Sequence, residues 1–187
     1  MKIEENKVGI FRWKLAKPWR CLRRFSRNQD GATAIEFAIV ALPFFAFLFA
    51  ILETGLIFFA GQTLETAVSD SARLILTGQA QSGGFKAEDF QKAVCDRITG
   101  LIDCSKVYID VRKFSSFSGI NFDPVLDEDG HLTNDFKYEP GGAGDIIVVR
   151  LLYEFPVRVQ LWNPQLVNMS GNNRLIIATA AFRNEPF

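Results

Sequence analysis

An unbroken apolar run at residues 37–52, FAIVALPFFAFLFAIL, constrains this chain more than any other feature of its sequence. Across residues 32–60 only Glu36 and Glu53 are charged. At a helical rise of about 1.5 Å per residue, residues 32–52 reach roughly 30 Å, the thickness of the hydrocarbon core of a bilayer. A helix that is apolar on every side needs lipid or a large protein core, and 187 residues are too few for such a core. The run therefore predicts a transmembrane helix over residues 32–60.

Charge is distributed unevenly around this run, although the formal net charge of the chain is zero. Residues 1–31 hold nine Lys and Arg against three Asp and Glu, a net charge of +6, and the remaining residues hold twelve against eighteen, a net charge of −6. Because basic flanks stay on the cytoplasmic side, we expect a cytoplasmic leader at 1–31 and an extracytoplasmic domain at 61–187. A secretory signal peptide is the alternative, but its apolar region is usually only about 7–15 residues long.

Glu36 lies inside the predicted span, where a carboxylate costs several kcal/mol unless it is paired or close to an interface. One interpretation is that Glu36 binds a cation. The other is that it reaches back to lipid headgroups or to the amino-terminal amides of its own helix, where negative charge is favoured. The residues alone leave both interpretations open. We expect Glu53, at the far end of the run, to be interfacial.

Beyond the run, the periodicity indicates helices followed by strands. Helical spacing continues outward to Gly78, a turn follows at 79–84, and a second, shorter amphipathic helix is predicted at 86–102. Period-two alternation predicts strands at 105–114, 145–155 and 174–183, the second of which has apolar residues on one face and Arg150 and Glu154 on the other. No helical crossover separates the strands. The sequence therefore predicts an α+β fold in which the long helix packs on an antiparallel sheet of three to four strands.

The segment between the first two predicted strands is rich in Gly, Ser, Asp and Pro, and we expect a surface loop with a short hairpin there. Its acidic cluster at 123–130 suggests calcium, but an EF-hand alignment places Val125 and Phe136 where Asp and Glu are required, so a solvated turn is preferred. His131 is the only histidine, and we expect it to be a loop residue. The sequence has no catalytic triad, phosphate loop or zinc spacing, so we expect a protein that is not an enzyme, without metal, cofactor or nucleic-acid partner.

Two cysteines, Cys95 and Cys104, fall in the predicted extracytoplasmic domain, whereas Cys21 lies in the leader. An even number of cysteines on the oxidising side of the membrane predicts a disulfide. Such a bond would contribute roughly 2–3 kcal/mol to the stability of the domain. A metal site would lack two further ligands, and a catalytic thiol would lack its histidine.

The string RNQDGATAIEF, residues 27–37, ends a basic leader at Gly31 and places Glu36 and an aromatic Phe37 before the long apolar run. This arrangement resembles the processing site of type IV prepilins. The wider string GATAIEFAIVALPFF is similar to the TadE-like pseudopilins of the tight-adherence (Tad/Flp) system, and the closing string FRNEPF also resembles the tail of these proteins. TadE-like proteins commonly carry a cysteine pair like the one here. The mid-span Pro43 departs from the family pattern and is expected to kink or locally melt the helix.

The resemblance implies a pilin-like fold and a minor pilin of the inner membrane, with its amino terminus in the cytoplasm and its carboxy-terminal domain in the periplasm. A prepilin peptidase would cut between Gly31 and Ala32, and Glu36, beside Phe37, would pair with a new α-amino group. The implied partners are the peptidase, other pilins and pseudopilins of the Tad system and its assembly platform, and the pilus would support adhesion. The alternative is an uncleaved single-pass anchor that displays a periplasmic binding domain.

Overall fold

A computed structural model of the chain describes residues 31–98, 100, 102–121, 124–133, 135–158 and 166–187. The predicted leader, apart from Gly31, lies outside these residues. The chain divides into two compact units, Met1–Phe44 and Phe45–Phe187. One long helix, α1 (Ala32–Leu76), contributes residues to both units.

Helix α1 is 45 residues long and begins one residue after Gly31. Its first backbone hydrogen bond runs from the amide of Ile35 to the carbonyl of Gly31, at 3.1 Å. The most apolar 18-residue window has a mean hydropathy of 2.5, and none of that window is buried in protein. The helix is therefore long and apolar enough to cross a membrane once, as the sequence predicts. Pro43 lies inside α1 without interrupting it, so the expected local melting does not occur.

From Glu53 onward, one face of α1 is buried against the rest of the second unit. The buried positions recur every three or four residues, the spacing of one helix face. They are Glu53, Ile57, Ala60, Leu64, Ala67, Val68, Ser71, Ala72 and Ile75. The predicted continuation of the membrane helix is therefore confirmed. The helix ends shortly before Gly78, whose φ of 74° is the left-handed conformation that terminates helices.

Two short helices follow, α2 (Gln79–Ser82) and α3 (Ala87–Cys95). Helix α2 occupies most of the segment for which the sequence predicted a turn. Helix α3 ends at Cys95, well before the predicted end at 102, because the disulfide to Cys104 brings the two Cα atoms within 5.8 Å and the chain must turn back. Its apolar face is completely buried through Phe90 and Val94.

Three strands, β1 (Val107–Phe114), β2 (Ile146–Pro156) and β3 (Asn173–Arg183), form one antiparallel sheet in the order β1-β2-β3. The predicted strands differ from these bounds by at most two residues. One face of the sheet shares a hydrophobic core with α1 and α3, to which the sheet contributes Val107, Val111, Ile147, Val149, Leu151 and Ala178. The predicted α+β fold is therefore confirmed, with three strands.

The opposite face of the sheet is also covered, which the sequence analysis did not predict. Leu152, Met169 and Leu175 form a second apolar cluster, against which the β1–β2 loop packs Val125, Leu126, Leu132 and Phe136. The predicted short hairpin is present within this loop as a bridge between residues 126 and 132. The loop is therefore not only a surface connection, because its apolar side chains close the second face of the sheet.

Candidate functional site

The predicted cleavage junction, Gly31 and Ala32, lies at the start of α1, and both residues are exposed. A β-carbon on Gly31 would meet no atom within 4 Å, and the φ of Gly31 does not lie in the left-handed region. Neither packing nor backbone conformation in the described chain therefore requires glycine here.

Glu36 and Phe37 lie on the second turn of α1 and are both exposed, Phe37 by 71%. Within the described residues, Glu36 makes no hydrogen bond or ion pair, so its carboxylate does not reach the amides of the first turn. An unpaired carboxylate at this position of an apolar helix is costly in lipid. The residues that the structure describes therefore supply no partner for Glu36.

Large apolar side chains surround the first half of α1. Between residues 35 and 52 each is 40% to 72% exposed: Ile35, Phe37, Ile39, Val40, Leu42, Phe44, Phe45, Phe47, Leu48, Phe49, Ile51 and Leu52. Soluble monomers rarely expose a continuous apolar surface larger than a few hundred Å². Lipid, or the helices of other membrane proteins, is the environment that suits this surface.

Glu53 is the second charged residue of the apolar stretch and is only 7% exposed. Its Oε1 accepts a hydrogen bond from the backbone amide of Arg158, which lies just after β2. A buried carboxylate is much less costly when it accepts a hydrogen bond. Glu53 therefore links α1 to the end of β2 at the first position where α1 packs on the sheet.

A buried ion cluster lies between the second face of the sheet and the loop that covers it. Asp110 is completely buried and accepts hydrogen bonds from Nε of Arg150 at 3.0 Å and from the amide of Lys137 at 2.9 Å. Arg112 donates through Nε to Asp110 at 3.0 Å and approaches the carboxylate of Asp135 at 3.3 Å. Burial opposes the charge of Arg112, but its hydrogen bonds to Asp110 raise its pKa. The sequence correctly placed Arg150 opposite the apolar face of β2 but gave no indication that it would be buried.

The remaining predicted sites lie in the domain that packs on α1. Cys95 and Cys104 form a disulfide, as predicted. Asp127 Oδ1 accepts hydrogen bonds from the amides of Asp129 and His131, at 3.0 and 2.8 Å. These bonds form a turn, which the sequence analysis preferred to a calcium site. Within the described part of the chain, which leaves out residue 123, no group of three or more His, Cys, Asp or Glu side chains could hold a metal ion.

The carboxy-terminal tail packs against the end of α1. The amide of Glu185 donates to the carbonyl of Leu76 at 2.9 Å and so satisfies one of the carbonyls that a helix end leaves free. A β-carbon on Gly78 would clash with the ring of Phe187, and the positive φ also favours glycine there. The sequence analysis singled out this tail without a mechanism, and the structure assigns it the role of a helix cap.

Comparison with known proteins finds one match. Residues 31–73 match the model of a family described as TadE-like protein. Searches of curated proteins and of solved structures found no significant match. The matched segment begins at Gly31, contains Glu36 and the whole apolar run, and ends within α1, before the sheet. The predicted resemblance is therefore confirmed, and over residues 31–73 the chain is similar to the TadE-like proteins.

Proposed function

We propose that this protein is a minor pilin, or pseudopilin, of a Tad pilus. The observation that carries the proposal is the TadE-like match, which starts at the glycine of the predicted cleavage junction. The start of α1 at the next residue and the exposed Glu36 support it. The proposed role is structural, in filament assembly and adhesion, rather than enzymatic.

The proposed topology places residues 1–31 in the cytoplasm, α1 across the inner membrane and the sheet domain in the periplasm. The net charge of +6 on the leader supports this orientation, because basic flanks are retained on the cytoplasmic side. The Cys95–Cys104 disulfide supports it independently, because disulfides form and persist in oxidising compartments such as the periplasm.

In the proposed processing step, a prepilin peptidase cuts after Gly31 and leaves an α-amino group on Ala32. Residues 32 and 36 are four apart and therefore share one face of α1. Glu36 can then pair with the new amine of its own chain or with that of a neighbouring subunit. Helices of other pilins and pseudopilins cover the exposed apolar surface of α1, and the Tad assembly platform moves the processed chain into or beneath the filament.

A glycine-to-alanine pair tests the processing step. Gly31→Ala is expected to abolish or strongly slow leader removal in cells that contain the peptidase, because the added methyl group enters the protease cleft. Gly55→Ala is the matched control, since Gly55 lies within α1, away from the junction, and a β-carbon there also meets no atom within 4 Å. Equal processing of both variants would argue against recognition of Gly31, and an unprocessed wild-type chain would favour the uncleaved anchor with a binding domain.

A glutamate-to-glutamine pair tests the assembly step. Glu36→Gln is expected to be processed normally but lost from the sheared filament fraction, because it cannot form the ion pair with an α-amino group. Glu65→Gln, an exposed carboxylate outside the apolar run, is the control and is expected to assemble normally. Normal assembly of Glu36→Gln would remove the pairing from the proposal.

A further inference from the structure

A groove of about 390 Å³ lies between α1 and the end of β2. Phe49, Leu52 and Leu56 of α1 form one wall, and Tyr153 and Phe155 of β2 contribute to the other. The three helix residues are 54%, 55% and 44% exposed, and the first two belong to the apolar surface that surrounds the first half of α1. The groove is therefore a continuation of the surface that suits lipid.

Two charged residues, Glu53 and Arg158, also line the groove. Glu53 is buried there and bound to the backbone amide of Arg158. The side chain of Arg158 is exposed, and among the described residues its guanidinium makes no hydrogen bond or ion pair. The groove therefore combines apolar walls with one available cation, the chemistry that matches a phosphate diester joined to acyl chains.

The position of the groove along α1 agrees with this chemistry. Phe49 and Leu56 lie 17 and 24 residues beyond Ala32, which corresponds to about 26–36 Å at about 1.5 Å per residue. A hydrocarbon core roughly 30 Å thick that starts at Ala32 ends between these two residues. The groove therefore crosses the level where acyl chains give way to headgroups.

We propose that this groove binds one membrane phospholipid, with its phosphate on Arg158 and an acyl chain against Phe49, Leu52 and Phe155. A bound lipid would fill the space between α1 and β2 where the domain meets the membrane. The inference requires that α1 spans a bilayer, as the proposed function does. It does not require cleavage after Gly31 or entry into a filament.

Native mass spectrometry of the purified full chain, released from detergent after incubation with phosphatidylglycerol, measures this binding. The wild type is expected to retain one lipid per chain. Arg158→Ala is expected to weaken retention about fivefold, the effect of removing one basic residue near a lipid phosphate. Leu56→Trp is expected to displace the lipid by filling the groove, and Arg158→Lys to restore most of the binding lost in Arg158→Ala.

Two variants outside the groove are the matched controls. Arg73→Ala removes an exposed arginine of α1, and Phe58→Trp enlarges an exposed apolar residue of α1. Both are expected to bind lipid like the wild type, and thermal unfolding must show that every variant keeps its fold. Equal lipid retention in wild type, Arg158→Ala and Leu56→Trp would overturn the inference. So would a chain-to-chain complex that Leu56→Trp disrupts without changing lipid retention. Lipid binding by a chain that is never cleaved would uphold this site and contradict only the pilin mechanism.

Discussion

The two halves of α1 share one secondary structure and differ in what surrounds them. In residues 32–52 every large apolar side chain from Ile35 onward is at least 40% exposed, and no polar face exists. In residues 53–76 one face is buried, with Leu64 and Ile75 completely so, and the exposed residues include Glu65, Asp70 and Arg73. The comparison shows that helical structure alone does not identify what surrounds a helix. The distribution of apolar side chains around the helix does, and it suits the first half to lipid and the second to packing on the sheet.

The largest effect is expected when two arginines are introduced into the first half of α1, compared with two in the second half. Ile39→Arg combined with Leu42→Arg places two cations near the middle of the span, each costing about 3 kcal/mol in insertion free energy. The variant is expected to be absent from the membrane pellet that remains after alkaline extraction. Thr66→Arg with Ser69→Arg, at exposed positions of the second half, is expected to remain membrane-bound. Equal retention of both pairs would contradict the assignment of the first half to lipid.

The next effect acts on the domain and leaves the span unchanged. Asp110→Ala leaves Arg150 buried without its carboxylate and is expected to lower the free energy of unfolding by about 3–5 kcal/mol. Asp135→Ala is the control, because the Asp135 side chain is 61% exposed and its ion pair is expected to contribute at most about 1 kcal/mol. Chemical denaturation of the purified chain with its disulfide intact measures both. A small loss in Asp110→Ala would show that the loop is not held by this cluster.

The same substitution, Leu to Ala, compares the two halves of α1 directly. Leu64→Ala removes a completely buried side chain and is expected to cost the domain about 2–5 kcal/mol. Leu48→Ala removes a side chain that is 40% exposed and is expected to leave the unfolding of the domain nearly unchanged. Near-ultraviolet circular dichroism on heating reports the tertiary structure of the domain. Equal destabilisation by the two variants would mean that the domain depends on the first half of α1.

The smallest effect is a pH dependence confined to the domain. Burial, with a smaller effect of the Asp89 carboxylate, raises the pKa of Tyr138 to about 12. Because the folded-state pKa is raised, the stabilisation is complete below pH of about 10 and is lost as the pH rises toward 12. Tyr138→Phe should remove this alkaline loss without weakening the domain near neutral pH, since the hydroxyl has no hydrogen-bond partner in the described structure. Titration of tyrosinate absorbance, compared with denaturation at each pH, tests both statements.

Local patterns were enough to predict most of the fold. The three strands alternate apolar and polar residues between turn-forming segments, so their bounds were predicted to within two residues. The apolar run and the spacing from Leu64 to Ile75 predicted both halves of α1. The pairing of Cys95 with Cys104 needed only the count of cysteines in the part of the chain that follows the apolar run.

Contacts between distant segments were not predictable in the same way. Glu53 meets the amide of Arg158, and the tail caps Leu76, through backbone groups that leave no side-chain signal. The covering of the second sheet face had a weak signal, because Asp110 and Arg150 are opposite charges at facing positions of β1 and β2. Recognising it requires the register of the two strands, which the sequence pattern does not fix.

The most direct test of the central claim is the intact mass of the wild-type chain from membranes of cells with and without the cognate prepilin peptidase. We predict a chain that begins at Ala32 only where the peptidase is present, and the full-length chain where it is absent. A chain that begins at Met1 in both strains would contradict the account and leave α1 as an uncleaved membrane anchor.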